Sequence, residues 1–287
     1  MLSPRQRWPL LLPLGLVVFP FLLWPAAFGF FASLTNFAPA QKHLHFVALG
    51  NYAATLGDSQ FRAAFRNITI FTLVAVPLEL TIGFGLAYLL RKPFRGRALL
   101  RVTLLLPWLV SPIAAGVMWH FLFNSSIGLI NFWLAWLHWP TQPSPLGLHG
   151  LALPTTIAVD VWRKAPFVSF LLLPGLFAIP NDQWEQATLE GASLPSRMRH
   201  IALPWLRPLL LTIAILLVGD TLGTFDSVLI LTGGGPGTET LTPGLYSYQQ
   251  AFRANNWPVG ATSAWLIVAA VLFIGMVYLR LVRAQAD

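Results

Sequence analysis

Asn181-Asp182-Gln183-Trp184-Glu185-Gln186-Ala187-Thr188-Leu189-Glu190-Gly191-Ala192, running on to Ile201-Ala202-Leu203-Pro204, is a polar interruption in an otherwise apolar chain. Asp182 with Glu185 three residues on resembles a capping box in which Asp replaces the usual Ser or Thr. A short helix is predicted to start there and to stop near Gly191, a residue suited to the left-handed turn that ends helices. Ser193 can start a second helix with Pro195 in its first turn, and Pro204 is expected to break it. The spacing therefore predicts a helix–turn–helix hairpin over 181–204. Its small Ala187, Gly191 and Ala192 would let another backbone approach closely.

What flanks this hairpin sets the fold class. The chain has 287 residues, 56% hydrophobic and 10% charged, against roughly 25% charged in a soluble protein. Its mean hydropathy is +0.66. A water-soluble enzyme, a disordered chain and a fibrous repeat are excluded. There is no cysteine, which removes disulfides, thiolate metal sites and a cysteine nucleophile. A membrane-crossing helix needs about 20 mostly apolar residues. Six segments qualify, over about 9–34, 68–90, 102–123, 151–178, 208–231 and 258–279. The reading is an all-α polytopic membrane protein with six transmembrane helices. The first segment follows Arg5 and Arg7 but far exceeds the 7–15 residues of a signal-peptide core. Its Pro13, Pro20 and Pro25 imply kinks. Segment 35–67 reads as a polar loop ending in an amphipathic stretch, Phe61-Arg62-Ala63-Ala64-Phe65-Arg66, lying on the outer surface. The Trp-rich segment 132–139 is too short to span and is placed at the interface. Gly233-Gly234-Gly235-Pro236 cannot continue a helix.

The net charge of +8 is a matter of sidedness rather than of nucleic acid. Six spans put both ends on one side, together with Arg91, Lys92, Arg95, Arg97, Arg101, Arg197, Arg199, Arg207, Arg280 and Arg283. The opposite side holds only Lys42, Arg62, Arg66 and Arg253. The positive-inside rule assigns the rich side, and the 181–204 hairpin with it, to the cytoplasm.

The hairpin carries a specific resemblance. Glu185, Ala187, Gly191, Ile201, Leu203 and Pro204 are similar to the "EAA" loop of permease subunits in binding-protein-dependent ABC importers. Gln186 departs from it, standing where Ala is usual, and Glu190 stands where Asp is common. Leu106-Pro107, Gly128, Asn131, Trp162, Pro166-Phe167, and Phe225-Asp226 through Leu231-Thr232-Gly233-Gly234-Gly235-Pro236 extend the resemblance over nearly the whole chain. They look like the MalF/UgpA-type sugar permease family. The resemblance implies a single permease domain over 1–287 with the type I ABC importer fold. It also implies a second permease, two cytoplasmic ATPase subunits and an extracytoplasmic binding protein as partners, in a bacterial or archaeal cytoplasmic membrane. Glu185, Ala187, Gly191, Ala192, Ile201, Leu203 and Pro204 would couple to the ATPase. The chain has no G-x-x-x-x-G-K-[ST] phosphate loop, so ATP and Mg would belong to the partner and no cofactor to this chain. The implied cargo is a sugar or oligosaccharide, with glycerol-3-phosphate or its diesters as the alternative.

Charges inside spans are costly, about 2.5–3.5 kcal/mol each at the bilayer centre. Glu79, Asp160, Arg163, Lys164, Asp220 and Asp226 are thus expected to face protein or water. Asp160 and Lys164, four apart, can pair on one helix face. That pair is either a structural lock or part of a polar lining for the translocation path, to which Trp162, Asp220 and Phe225 are the other candidates. Asp226 is placed near the outer end of the fifth span, and Glu79 is assigned a buried hydrogen bond. The six histidines have no metal-binding spacing. Intramembrane acids also mark ion-coupled secondary transporters, the rival reading. A membrane enzyme would need clustered catalytic residues, and no such motif occurs.

Overall fold

The computed structural model describes residues 16–37, 44–140 and 142–283, the last three without side chains. Arg5, Arg7 and Trp8 before the predicted first span, Pro13 within it, Lys42 in the next loop and the side chain of Arg283 lie outside this description. Among the described residues the regular structure is helical. The one β-bridge is an isolated antiparallel pair, Thr35 with Phe46.

In chain order the helices are α1 (Leu16–Ser33), α2 (Gly50–Gly57), α3 (Ser59–Arg91), α4 (Arg97–Leu109), α5 (Pro112–Leu122) and α6 (Leu129–Trp136). They continue with α7 (Ala152–Phe177), α8 (Asn181–Leu189), α9 (Leu194–Leu222), α10 (Asp226–Leu231), α11 (Pro243–Tyr248) and α12 (Trp257–Arg283). By length and composition α1, α3, α9 and α12 are each long and apolar enough to cross a membrane. The bent pairs α4–α5 and α7–α8 pass the same test when each pair is taken together, which gives up to six candidate spans among the described residues.

Two spans differ from their expected form. The stretch Phe61–Arg66 is not a separate surface segment but the first turns of α3. Asp58 caps that helix, its Oδ1 accepting from the N–H groups of Gln60 and Phe61 at 2.6 and 3.1 Å. Phe61, Ala64, Ile68, Phe71 and Ala75 then form one buried stripe at helical spacing. A helix of 33 residues is about 50 Å long, well beyond the roughly 30 Å hydrocarbon core. The third span is also not one helix. It bends by 95° between α4 and α5. Val110 is extended, Ser111 Oγ accepts from the Ala114 N–H at 3.2 Å, and Pro112 opens the new helix. Ser followed by Pro is a helix-start signal, hidden here inside an unbroken apolar run.

The fifth span is displaced along the sequence. Pro204 does not end the second hairpin helix, and α9 runs through it to Leu222. A wide turn over Met198–Ala202 precedes Pro204, which stands at the start of the following regular stretch. There its missing N–H costs least. The helix ends at Gly223 instead, and Asp226 begins the separate short helix α10 rather than closing the span.

The chain divides into two compact units. The first comprises the chain up to Arg62 with Tyr246–Ala270. Ser33 organises it, its hydroxyl 2.8 Å from the Tyr52 hydroxyl and its carbonyl accepting from Asn51 and Thr262. The second comprises Ala63–Leu245 and Val271 onward. Its core centres on α7, where Val168, Leu172 and Leu176 pack with Phe84 of α3 and Leu206 and Ile213 of α9. Gly83 permits the α3–α7 approach, since a Cβ there would stand 2.5 Å from Val168 Cγ1.

Within the second unit α5 and α10 are joined through His120, whose Nδ1 is 2.9 Å from the Leu231 carbonyl oxygen. The glycine loop after α10 is tied down from both sides. Asn67 of α3, fully buried, donates to the carbonyls of Thr238 and Leu241 at 2.6 and 3.1 Å. Glu239 accepts from His149 Nδ1 at 2.8 Å and from the Gly150 N–H at 3.0 Å. These two donors hold the Glu239 carboxyl below the usual carboxylate range, the imidazole contributing most.

Candidate functional site

Two arrangements concentrate polar chemistry: the hairpin after α7 and a charge cluster inside the spans. The hairpin forms as the sequence predicts, by partly different means. Pro180 is extended and stands at the N-cap of α8, and no side chain caps the helix. The expected Asp182–Glu185 capping box does not form, because the helix starts two residues earlier than an N-cap at Asp182 would place it. Asp182 lies in the first turn, where a carboxylate suits the helix dipole. At the other end Gly191 takes φ +74°. Its N–H bonds to the Thr188 carbonyl at 3.1 Å, and the Ala192 N–H to the Ala187 carbonyl at 2.9 Å. This is the Schellman turn that a C-terminal glycine allows.

Ser193 and Pro195 then start α9, and Arg197 Nη1 donates back to Thr188 Oγ1 at 2.9 Å. The hairpin is fixed to the chain's own span by Trp184, which is buried under the Arg91 guanidinium at 4.1 Å and beside Tyr88 at 6.0 Å. Arg91 Nη2 also reaches Asn181 Oδ1 at 3.4 Å. A cavity of about 460 Å³ opens between Tyr88, Arg91, Trp184 and Thr188.

The coupling candidates separate into two faces. Ala187 is buried and Ile201 packs against the apolar core, so both serve the hairpin's own seat. Within this chain the small size of Ala187 also fits the chain's own interior. Glu185, Gly191, Leu203 and Pro204 are exposed, with Ala192 half-buried. Gln186 also points outward and donates to Glu190 Oε1 at 3.1 Å. Its departure from the usual Ala thus alters the outer face and not the packing. Leu189, which sequence reasoning did not single out, is 89% exposed at the tip.

The charge cluster joins α7 to α9. Lys164 Nζ lies 2.8 Å from Asp160 Oδ2 and 2.7 Å from Asp220 Oδ2. It also donates to Thr221 Oγ1 at 3.4 Å. Arg163 reaches the other Asp160 oxygen at 3.4 Å. The Asp160 and Lys164 side chains are only 3% and 4% exposed, that of Asp220 62%. Glu79 of α3 is wholly buried, and neither carboxyl oxygen has a hydrogen-bond partner among the described residues. The expected buried hydrogen bond is absent. Trp162 is not part of the cluster. It meets Trp119 edge-on at 5.3 Å and lines an apolar cavity of about 570 Å³ with Ile70, Val74 and Leu78 of α3. Phe225 stands half-buried at the α9–α10 break, close against Gly244. Among the described residues no group of His, Asp or Glu is placed to hold a metal ion.

Long apolar helices, a hairpin seated on their ends and charges buried between them define a polytopic membrane protein. Its hairpin carries the Glu185, Ala187, Gly191, Ile201, Leu203 and Pro204 pattern. Residues 79–286 match the family model described as "Binding-protein-dependent transport system inner membrane component", and the chain belongs to that family. It is 34% identical over 281 residues to the trehalose/maltose transport system permease protein MalF of Thermococcus litoralis, covering 97% of this chain and 94% of that one. It is 28% identical over 272 residues to the sn-glycerol-3-phosphate transport system permease protein UgpA of Yersinia enterocolitica, covering 94% and 91%. A chain of the bacterial alginate ABC transporter, solved in complex with an alginate pentasaccharide-bound periplasmic protein, superposes with a TM-score of 0.83 at 18% identity. The superposition covers 98% of this chain and 94% of that one and shows the shared fold.

Proposed function

We propose that this chain is one of two permease subunits of an ATP-driven importer and forms half of the path for a sugar or oligosaccharide. In this reading two ATPase subunits dock on the 181–204 hairpin from the cytoplasm, where both chain ends also lie, and a binding protein delivers cargo to the opposite face. The hairpin carries the proposal. It is locked to the chain through Trp184, Ala187 and Arg197 while Glu185, Gln186, Leu189 and Gly191 stay uncovered. A turn fixed to its own chain on one face and uncovered on the other is suited to docking, since little order is lost when a partner binds it. The relatives' names support the importer class, and the lack of a phosphate-loop motif in the sequence is consistent with ATP being bound by another subunit.

The charge cluster favours a neutral, hydroxyl-rich cargo over glycerol-3-phosphate or its diesters. Lys164 is buried between two carboxylates, and Arg163 faces Asp160. The group left most open is the Asp220 carboxylate, which repels an anion and accepts hydrogen bonds from hydroxyl groups. The test is reconstitution with the co-encoded ATPase, second permease and binding protein. ATP hydrolysis should rise when the loaded binding protein is added, and mass spectrometry of that protein should find a neutral saccharide. Transport by this chain alone, driven by an ion gradient, would sink the importer reading. A phosphorylated ligand would sink the sugar assignment only.

A further inference from the structure

We infer that Arg97 and Arg101 form a binding site for the phosphate of an anionic membrane lipid. The two arginines are one turn apart at the start of α4 and reach the same ring, with guanidinium carbons 5.3 and 6.0 Å from the centre of Phe177 at the end of α7. The ring holds them in place by cation–π attraction. Arg97 Nε and Arg101 Nε and Nη2 are nevertheless buried with no hydrogen-bond partner among the described residues. Both residues are half-buried, so each still presents part of its guanidinium outward.

No acid in the adjoining segments supplies the missing acceptor. From Arg91 to Leu109 the sequence holds Arg91, Lys92, Arg95, Arg97 and Arg101 and no acid, and none stands between Pro166 and Pro180. Arg91 is engaged by Trp184 and Asn181, and Lys92 lies over Tyr88. Arg97 and Arg101 are thus two like charges at i and i+4, which repel, with donors whose burial is costly while they stay unpaired. An anion with two or more oxygens offsets the like-charge repulsion through the guanidinium nitrogens that remain open, and a phosphate matches the fork of the guanidinium.

Location selects the source. Just past the arginines α4 exposes Leu99, Val102, Leu106 and Leu109, each more than half open. The arginines therefore stand at the charged end of an apolar helix face that this chain leaves uncovered, and where such a face meets lipid its end lies at the depth of the phospholipid phosphates. Basic pockets between spans are known to hold anionic head groups.

The test uses the assembled importer in nanodiscs of phosphatidylcholine with or without phosphatidylglycerol. Lipid co-retained with the complex is identified by mass spectrometry, and melting is followed in parallel. Phosphatidylglycerol should be retained about tenfold or more over phosphatidylcholine and should raise the melting temperature. The double variant Arg97→Gln/Arg101→Gln should lose that preference, while Arg95→Gln, at an exposed arginine, should keep it. Equal retention of the two lipids by the wild type overturns the proposal without any variant. Equal stabilisation by inorganic phosphate in pure phosphatidylcholine would make the site one for free anions. Retention only after the ATPase subunits are stripped away would give the arginines to an acidic partner segment. Either result also overturns it.

Discussion

Lys164 Nζ lies 2.7 Å from Asp220 Oδ2, so one ammonium on α7 bridges to α9 as well as to Asp160 on its own helix. The consequence is an asymmetry among the three residues. Removing Lys164 leaves Asp160 buried with Arg163, at 3.4 Å, as its remaining cation. Lys164→Met is expected to cost about 3–5 kcal/mol, the usual penalty for breaking a buried pair, and to lower the yield of folded complex sharply. Asp160→Asn should be milder, because Lys164 keeps Asp220. Asp220→Asn should cost less than about 1 kcal/mol, since that carboxylate is mostly open and screened. Size-exclusion yield of the tagged complex measures all three. An Asp220→Asn variant that folds normally yet loses uptake would place this carboxylate on the path, and Lys164→Met at normal yield would refute the bridge.

Glu79 supplies a second prediction. A buried carboxyl with no hydrogen-bond partner costs about 1–3 kcal/mol, and Leu fills a similar volume. If Glu79 is used by neither cargo nor conformational change, Glu79→Leu should raise the melting temperature by a few degrees and leave uptake intact. A lower melting temperature would show that this carboxyl is partnered in the assembly, by the nearby Lys164 ammonium or by the second permease. Unchanged melting with lost uptake would assign it to the transport cycle.

How far the sequence discloses this arrangement depends on the range over which each signal acts. Asp160 and Lys164 are legible because a helix puts residues four apart on one face. Asp220 comes 56 positions after Lys164, and only the packing of α9 on α7 shows that it completes the bridge. Gly191 is readable because a left-handed turn narrows the choice of residue. Pro204 misleads because a wide turn just before it absorbs the missing N–H, so the helix continues. Hydropathy finds the third span but not its 95° bend; the local Ser111-Pro112 signal carries that information. Ala187 shows a further limit: a small residue reads alike whether it admits a partner or fills the chain's own core. The Glu239 contacts with His149 and Gly150 left no sequence signal, since they join segments 90 residues apart.

At Gly191 the positive φ predicts a graded response. Asn tolerates the left-handed conformation better than other side chains, and a β-branched residue tolerates it worst. No atom lies within 4 Å of a Cβ built there, so strain and not collision within the chain is what differs. Gly191→Asn should retain most ATPase coupling, whereas Gly191→Val, about 1–2 kcal/mol more strained, should lose it with the spans still inserted. Gly191→Asp adds a charge to the proposed docking face and should also uncouple. If all three variants take up cargo normally at normal expression, the hairpin is not the docking element.

Sidedness can be read with single cysteines, because the chain has none of its own. Ser125 is exposed between α5 and α6, and Ser196 lies in the first turn of α9. A cysteine at 125 should react with a membrane-impermeant maleimide added to intact cells. One at 196 should react only after lysis. The reversed pattern would put the hairpin outside and remove its access to a cytoplasmic ATPase.

The Glu239–His149 contact predicts an acid limit for the glycine loop. The Glu239 carboxyl is held below its ordinary value of 4.5 by the His149 imidazole and the Gly150 N–H. A lowered folded-state pKa contributes stability that is fully present above the ordinary value and is lost as pH falls through the lowered one. The loop should therefore stay attached to the start of α7 from neutral pH down to the mid-fours and loosen below that. Hydrogen-exchange protection of the Gly150 amide, corrected for the intrinsic pH dependence of exchange, reports the attachment. In Glu239→Gln the protection should be weaker at neutral pH and nearly flat into acid. In His149→Gln the carboxyl loses its main support, so protection should fall at a higher pH than in the wild type. A midpoint that does not move in His149→Gln would mean that the imidazole does not set the ionisation of Glu239.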